Sequence, residues 1–153
     1  MSHLLKNYPV TDTLSSVAIT IDQCSFTDIY SSVNGGLISL TLNSASSSLS
    51  ITNTAIVHTR ASYNYGGAVY LIASKSFCDY KFTNVTFSNN SASYGKDVYI
   101  QADKLLDVVS ASKFGINFTD YNPRNSLSGN DSSDYTTPTD LISLFTVSEH
   151  TIY

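Results

Sequence analysis

Carboxylates are the first residues in this sequence to test for chemistry, because a glycosidase needs two of them roughly 5–10 Å apart. Asp22 and Asp28 are separated by a turn and a short strand, and Asp79 and Asp97 belong to other segments. This spacing implies no facing pair, and the Asn-Thr-Asp, Asp-Asp and Arg-Ile-Lys sets of pectinases do not occur. We therefore expect no catalytic residues, a protein that is not an enzyme, and acids that are solvated surface charges.

The histidines are the next residues that could do chemistry. His3, His58 and His150 fall in unrelated segments, and none has a partner at the spacing of metal ligands on a helix or strand. We expect neither a metal ion nor a cofactor.

Two adjacent glycines in the stretch YNYGGAVYL, Gly66 and Gly67, could belong to a phosphate-binding loop. The stretch lacks both G-x-x-x-x-G-K-S/T and G-x-G-x-x-G, and nothing after it reads as a helix. Equivalent glycines occur in the segments before and after it, as Gly35-Gly36 and Gly95. We interpret all five as structural turn residues, which supply the positive φ needed where a loop enters a strand.

These glycines belong to a repeat of about 30 residues, a period typical of a solenoid or a propeller. In each repeat, alternating apolar residues place one set of side chains on a common face. Corresponding inward positions are Ile21, Ile51 and Phe82, and again Phe26, Ile56 and Phe87. Three short strands per repeat predict an all-β, right-handed parallel β-helix. A propeller blade would need four strands in about 40–45 residues.

The period also predicts how the chain is organised. We expect about three coils, a partial coil and a long polar loop, with strands at Phe114–Phe118 and Asp140–Val147. The predicted segments are a lead-in at 1–17, coils at 18–42, 48–73 and 79–102, an irregular segment at 103–140, and further truncated strands at 141–153. An open solenoid end exposes unpaired backbone and normally needs a cap, so we expect this sequence to be a fragment.

Amide side chains recur at the turn between the first and second strands of each coil. Gln23, Asn53 and Asn84 stand there, and in stacked coils each amide can bond to the next one. We therefore predict an amide ladder. The alternative is that Asn53 and Asn84 only form turns.

Four Asn-x-Ser/Thr sequons are a hint of secretion. A place in the ladder would leave Asn84 unglycosylated, and the remaining candidate acceptors are Asn89, Asn117 and Asn130. Asn89 lies in the loop SNNSASYG and is the best of them. No apolar leader is visible near the N-terminus, so we expect any signal and anchor to lie outside this piece.

Tyrosines occupy outward positions of the third strand. Tyr70 and Tyr99 alternate with core residues at matching places, which predicts that both point away from the core. Such a pair is a candidate contact surface for a sugar or a protein. The alternative is that the rings only stabilise the sheet by stacking.

The two cysteines are predicted to be free thiols. Cys24 should point inward on its strand, and Cys78 precedes the first strand of the third coil. Two coil spacings separate them by about 9–10 Å, whereas a disulfide needs Cα atoms within about 7 Å.

Composition excludes some partners. Charged residues make up 13% of the chain and the net charge is -4, so we expect no nucleic-acid partner. No apolar run approaches the ~18 residues of a membrane span, so we expect no membrane span in this piece.

Two motifs of the repeat resemble those of polymorphic membrane proteins (Pmp), a family with Gly-Gly-Ala-Ile/Val and Phe-x-x-Asn motifs. Gly66-Gly67-Ala68-Val69 matches the first motif and Phe87-Ser88-Asn89-Asn90 the second. Phe26-Thr27-Asp28-Ile29 and Ile56-Val57-His58-Thr59 break the second motif in the other coils. The chain looks especially similar to the large Pmp-like β-helical surface proteins of anaerobic flagellate protists, and the similarity covers about 18–102.

The resemblance implies an extracellular or cell-surface location and an adhesin-like role. Our first hypothesis is a noncatalytic extracellular β-helix fragment. Its partners would be further coils of the same larger chain and host or environmental glycans or proteins. One alternative is part of a carbohydrate-active β-helix protein, polysaccharide-binding or -cleaving, whose active site lies elsewhere. The other alternative is a purely structural spacer.

Overall fold

Short strands stacked in parallel form most of this chain, and together they make a β-solenoid of about three turns. A computed structural model describes residues 17–62, 65–73, 79–118, 125–132 and 138–148. The predicted fold class is confirmed.

Each coil repeats the same order of strands. The first coil contains β1 (Ala18–Asp22), β2 (Ser25–Thr27), β3 (Tyr30–Ser31) and β4 (Ile38–Leu42). The second contains β5 (Ser48–Thr52), β6 (Ala55–Val57), β7 (Arg60–Ala61) and β8 (Val69–Ala73). In the third coil the first two strands merge into one ten-residue strand, β9 (Asp79–Ser88), and the coil ends with β10 (Val98–Ala102).

Coil-to-coil pairing follows the register that the repeat predicts. Ile21 pairs with Ile51, which pairs with Phe82, and Phe26, Ile56 and Phe87 form the next row. On the opposite sheet β4, β8 and β10 pair in parallel. Like residues therefore lie above like residues, and the second and third coils bury their inward side chains almost completely.

Inward positions of the first coil are less covered. Ile19, Ile21 and Phe26 are only partly buried against the core, and Cys24 is exposed. Cys24 is therefore not part of a covered core, although the sequence places it at an inward position. Its counterpart in the second coil, Thr54, is 2% exposed, but within the described residues no strand pairs with the outer edge of β1.

The segment 103–140, predicted to be irregular, continues the stack. It contains α1 (Leu105–Val108), a 3-10 turn (Ala111–Lys113), β11 (Phe114–Phe118), β12 (Leu127–Asp131) and β13 (Thr139–Asp140). β11 is the strand that the sequence predicts and pairs in parallel with β9. β12, which falls in the predicted polar loop, pairs in parallel with β10, so that prediction is wrong for Leu127–Asp131.

Strand β12 escapes sequence prediction because a glycine occupies its inward position. Gly129 lies opposite Ile100. A Cβ atom at Gly129 would lie 3.0 Å from Cδ1 of Leu105 and 3.2 Å from Cδ2 of Leu141. These two leucines, both buried, fill the core where the strand has no side chain.

The predicted strand at Asp140–Val147 is also wrong, because the chain forms helix α2 (Leu141–Ser148) there. The backbone nitrogen of Ile142 donates to Oδ1 of Asp140 at 3.1 Å, and the Ser143 hydroxyl donates to the Asp140 carbonyl at 2.6 Å. These capping bonds favour a helical turn, and short apolar runs alone do not separate strand from helix. Leu141 is fully buried in the core. Residues 149–153 lie outside the described residues.

Candidate functional site on the outer face

The turn glycines have the two structural roles that close coil stacking requires. Gly35, Gly66 and Gly95 have φ values of 74°, 66° and 59°. A Cβ atom at Gly36 would lie 2.0 Å from the carbonyl oxygen of Gly67. At Gly67 it would lie 2.0 Å from the oxygen of Lys96. The first glycine thus supplies the left-handed conformation, and the second allows close approach of the next coil. Asn125, which precedes β12, also has a left-handed backbone, with φ 66°.

An amide ladder runs along the first turn. Asn84 Nδ2 donates to Oδ1 of Asn53 at 2.9 Å, and Asn117 Nδ2 donates to Oδ1 of Asn84 at 3.1 Å. In the first coil, Asn53 Nδ2 donates to Oδ1 of Asp22 at 3.1 Å. Asp22 therefore takes the place in the ladder that the sequence predicts for Gln23. Gln23 shares the left-handed backbone conformation of Asn53 and Asn84. The ladder and the turn interpretation therefore both describe these residues.

A second left-handed row lies one turn further along each coil and was not predicted. Asp28, His58 and Asn89 have φ values of 59°, 54° and 54°. Asp28 Oδ1 lies 3.4 Å from Nδ1 of His58. Asp, His and Asn are among the non-glycine residues most often found in this conformation, so their recurrence at one repeat position was the available signal.

The acidic residues considered for catalysis are tied to the coil structure. Oδ1 of Asp22 accepts hydrogen bonds from Thr52 at 2.6 Å and from Asn53, and these bonds lower the pKa of Asp22. Asp79 lies 3.5 Å from Nζ of Lys113. Asp97 is 1% exposed and accepts a hydrogen bond from Asn90.

Asn90, the asparagine of the Phe-x-x-Asn match, is the centre of a buried polar network. It is 4% exposed. Its Oδ1 accepts from the backbone nitrogen and hydroxyl of Thr59 at 2.8 and 2.9 Å. Its Nδ2 donates to the Ile56 carbonyl at 3.1 Å and to Oδ1 of Asp97 at 2.9 Å. The side chain thus joins two neighbouring coils, which is a structural role.

Four aromatic rings stack against one another beside the sheet of β8 and β10, and we call them the tyrosine cluster: Tyr65, Tyr70, Tyr94 and Tyr99. Tyr70 and Tyr99 are register partners with ring centroids 5.9 Å apart and planes 21° apart. Tyr65 and Tyr94 form a parallel bridge, with centroids 5.8 Å apart and planes 23° apart. Tyr65 joins the pairs, since its ring lies 4.5 Å from that of Tyr99.

Burial divides the cluster into an inner and an outer part. Tyr99 is 2% exposed, so the prediction that it forms an exposed contact surface is wrong. Its hydroxyl donates to Oδ1 of Asn130 at 2.9 Å, and burial raises its pKa. Tyr70 is half-buried, and its hydroxyl donates to Oε1 of Gln101 at 2.8 Å.

The outer part was not predicted from the sequence. Tyr94 is 40% exposed and Tyr65 is partly exposed. Each precedes a left-handed turn glycine, in Tyr65-Gly66 and Tyr94-Gly95. That shared dipeptide was the signal in the sequence. Strand alternation missed it because both residues lie before the strands begin.

The candidate glycosylation sites differ in accessibility. Asn89 is exposed. Asn117 is exposed but belongs to the amide ladder. Asn130 is 8% exposed and accepts the Tyr99 hydroxyl. Asn89 therefore stays the best of the predicted acceptors.

Among the described residues, no group of three or more His, Cys, Asp or Glu side chains could hold a metal ion. No described helix is long and apolar enough to cross a membrane. Cys24 is a free thiol, and Cys78 lies outside the described residues.

Comparison with protein-family models, curated proteins and solved structures finds no significant match to this chain.

Proposed function

We propose that this chain is a noncatalytic β-solenoid portion of an extracellular or cell-surface protein, which makes adhesin-like contacts through the tyrosine cluster. The observation that carries the proposal is the outer pair of stacked rings, with Tyr94 40% exposed beside Tyr65. The Pmp-like motifs and the exposed sequon at Asn89 support the extracellular setting.

The cluster suits recognition because its exposed rings need little ordering on binding. Tyr65 stacks on Tyr70 and Tyr94 and packs at a tilt against Tyr99. The hydroxyls of the two inner rings donate to Gln101 and Asn130. A tyrosine offers an apolar ring and a polar edge at low cost in side-chain entropy. Glycans and proteins are the partners that such a surface fits, and further coils of a larger chain are the partners of the solenoid itself.

The contacts of the carboxylates support a noncatalytic role. Asp22 accepts hydrogen bonds from Thr52 and Asn53 of the next coil, and Asp97 is buried against Asn90. These contacts favour a role of both groups in coil stacking.

The test is a binding screen against immobilised glycans and cultured cells with the wild-type chain, Tyr94→Ser and Tyr30→Ser. Tyr30 is the matched control because it is 60% exposed but lies in the first coil, outside the cluster. We expect saturable binding that Tyr94→Ser weakens about 30-fold or more, because loss of a hot-spot residue costs about 2 kcal/mol or more. Tyr30→Ser should bind like the wild type.

Two results would overturn the proposal. Absence of saturable binding to any glycan or cell would favour the structural spacer. Turnover of pectin, alginate or a host glycan by this chain would contradict a noncatalytic role and favour the carbohydrate-active alternative.

A further inference from the structure

The outer pair of the tyrosine cluster brings two phenol rings into stacked contact, close enough for covalent coupling to be considered. Tyr65 and Tyr94 face each other across neighbouring coils through a parallel backbone bridge. Their rings are stacked, with centroids 5.8 Å apart and planes 23° apart. Rotation of a tyrosine ring about its last side-chain torsion is soft, so the two rings can turn toward the edge-to-edge geometry that coupling of their ortho carbons needs.

The exposure of Tyr94 and the burial of Tyr99 distinguish the two rings that lie nearest to Tyr65. Tyr94 is 40% exposed and Tyr65 is partly exposed, so an oxidant in solvent can reach them. Tyr99 has the ring nearest to Tyr65, but it is 2% exposed and its hydroxyl is bonded to Asn130. Burial also raises the pKa of Tyr99, which disfavours loss of its proton during oxidation.

We propose that Tyr65 and Tyr94 are a site of oxidative dityrosine formation that joins the second and third coils. The oxidant is hydrogen peroxide acting through a haem peroxidase. Peroxide takes one electron and one proton from each phenol, which yields two phenoxyl radicals and two water molecules. The radicals couple through their ortho carbons. Each ortho hydrogen then leaves as a proton and returns to a phenol oxygen, so both rings become aromatic again and the product has lost two hydrogen atoms.

The cross-link would fix the two coils at their most exposed aromatic contact. The site joins residues that are far apart in the chain, and closing such a loop restricts the unfolded state, as a disulfide does. The modified solenoid would therefore resist unfolding better than the unmodified one. The proposal does not depend on ligand binding by the cluster, because coupling needs only the two rings and the oxidant.

The test treats dilute, folded, bacterially produced chain with hydrogen peroxide and horseradish peroxidase, and isolates the monomeric product. Trypsin cleavage after Arg60, Lys75, Lys81 and Lys96 places Tyr65 and Tyr94 in separate peptides, 61–75 and 82–96. Tyr94 is the only tyrosine of its peptide. We expect dityrosine fluorescence and a cross-linked peptide pair lighter by two hydrogen atoms, with fragment ions that assign the bond to Tyr65.

Phenylalanine variants test whether the cross-link joins Tyr65 and Tyr94, because they remove the phenol hydroxyl and keep the ring. Tyr65→Phe and Tyr94→Phe should each abolish the cross-linked peptide, and far-ultraviolet circular dichroism should show that both stay folded. Tyr30→Phe and Tyr70→Phe should keep it. The proposal is overturned if the monomer contains no dityrosine, if the product survives in Tyr94→Phe, or if fragment ions place the bond on another tyrosine.

Discussion

Many single residues in this chain shape the contacts between neighbouring coils. Gly66 and Gly67 were predicted as turn residues from their period, and the structure gives Gly66 a left-handed backbone and Gly67 a close approach to Lys96. Tyr94 was missed because its exposure depends on the loop before the strand, where alternation gives no information. The prediction that Tyr99 is exposed is wrong for a related reason, because a side chain that faces away from the core can still be buried.

At the scale of single residues, we predict that substitution of Asn90 lowers stability. Asn90→Ala would remove the side-chain acceptor of the buried Thr59 amide and of the Thr59 hydroxyl. A buried polar group without a partner costs about 1–3 kcal/mol, so we expect the free energy of unfolding to fall by roughly 2 kcal/mol or more. Urea unfolding followed by circular dichroism measures this change.

Ser91→Ala is the matched control for Asn90→Ala. Ser91 is the next residue and is exposed, and its bridge to Arg60 uses the backbone. Its substitution should shift the free energy of unfolding by no more than about 0.5 kcal/mol. If both substitutions changed the free energy of unfolding equally, the buried network of Asn90 would not contribute to stability.

At the scale of elements, the sequence predicts the coils well and the C-terminal part poorly. β1, β5 and β9 follow period-two alternation, so their register could be read from the spacing of Ile21, Ile51 and Phe82. β12 has Gly129 at its inward position, and α2 replaces a predicted strand. At β12, Leu105 and Leu141 fill the core and lie far from the strand in the sequence. At α2, the capping bonds of Asp140 favour a helix over the strand that the apolar run suggests.

At the scale of elements, we predict that substitution of Leu141 destabilises the packing of α2 on the core. This residue is fully buried, begins α2 and lies against Gly129 of β12. Leu141→Ala should lower the free energy of unfolding by about 2–5 kcal/mol, because the core loses a large side chain and is left with a cavity. Amide hydrogen exchange in β12 should accelerate as α2 loosens.

Leu106→Ala removes the same atoms from an exposed site. Leu106 lies in α1 and is 72% exposed, so its substitution should leave the unfolding midpoint and the exchange of β12 nearly unchanged. If Leu141→Ala behaved like Leu106→Ala, α2 would not be packed on the core.

At the scale of the whole molecule, parallel stacking of coils in one register is the claim on which every other inference depends. Stacking forms the amide ladder, the buried network of Asn90 and the tyrosine cluster. The repeat period predicts this stacking because each coil must pair its backbone with its neighbours. The sequence could not predict how burial divides the tyrosines, which depends on side chains packed between coils.

Paired cysteines test the register most directly. Ser50 and Lys81 are partners across β5 and β9, and neighbouring strands lie about 4.8 Å apart, within reach of a disulfide. With Cys24 and Cys78 replaced by serine, the double variant Ser50→Cys, Lys81→Cys should oxidise rapidly to an intramolecular disulfide. The control Ser50→Cys, Thr83→Cys is two residues out of register and should stay largely reduced. Preferential oxidation of the control pair, or no difference between the two pairs, would contradict the stacked solenoid.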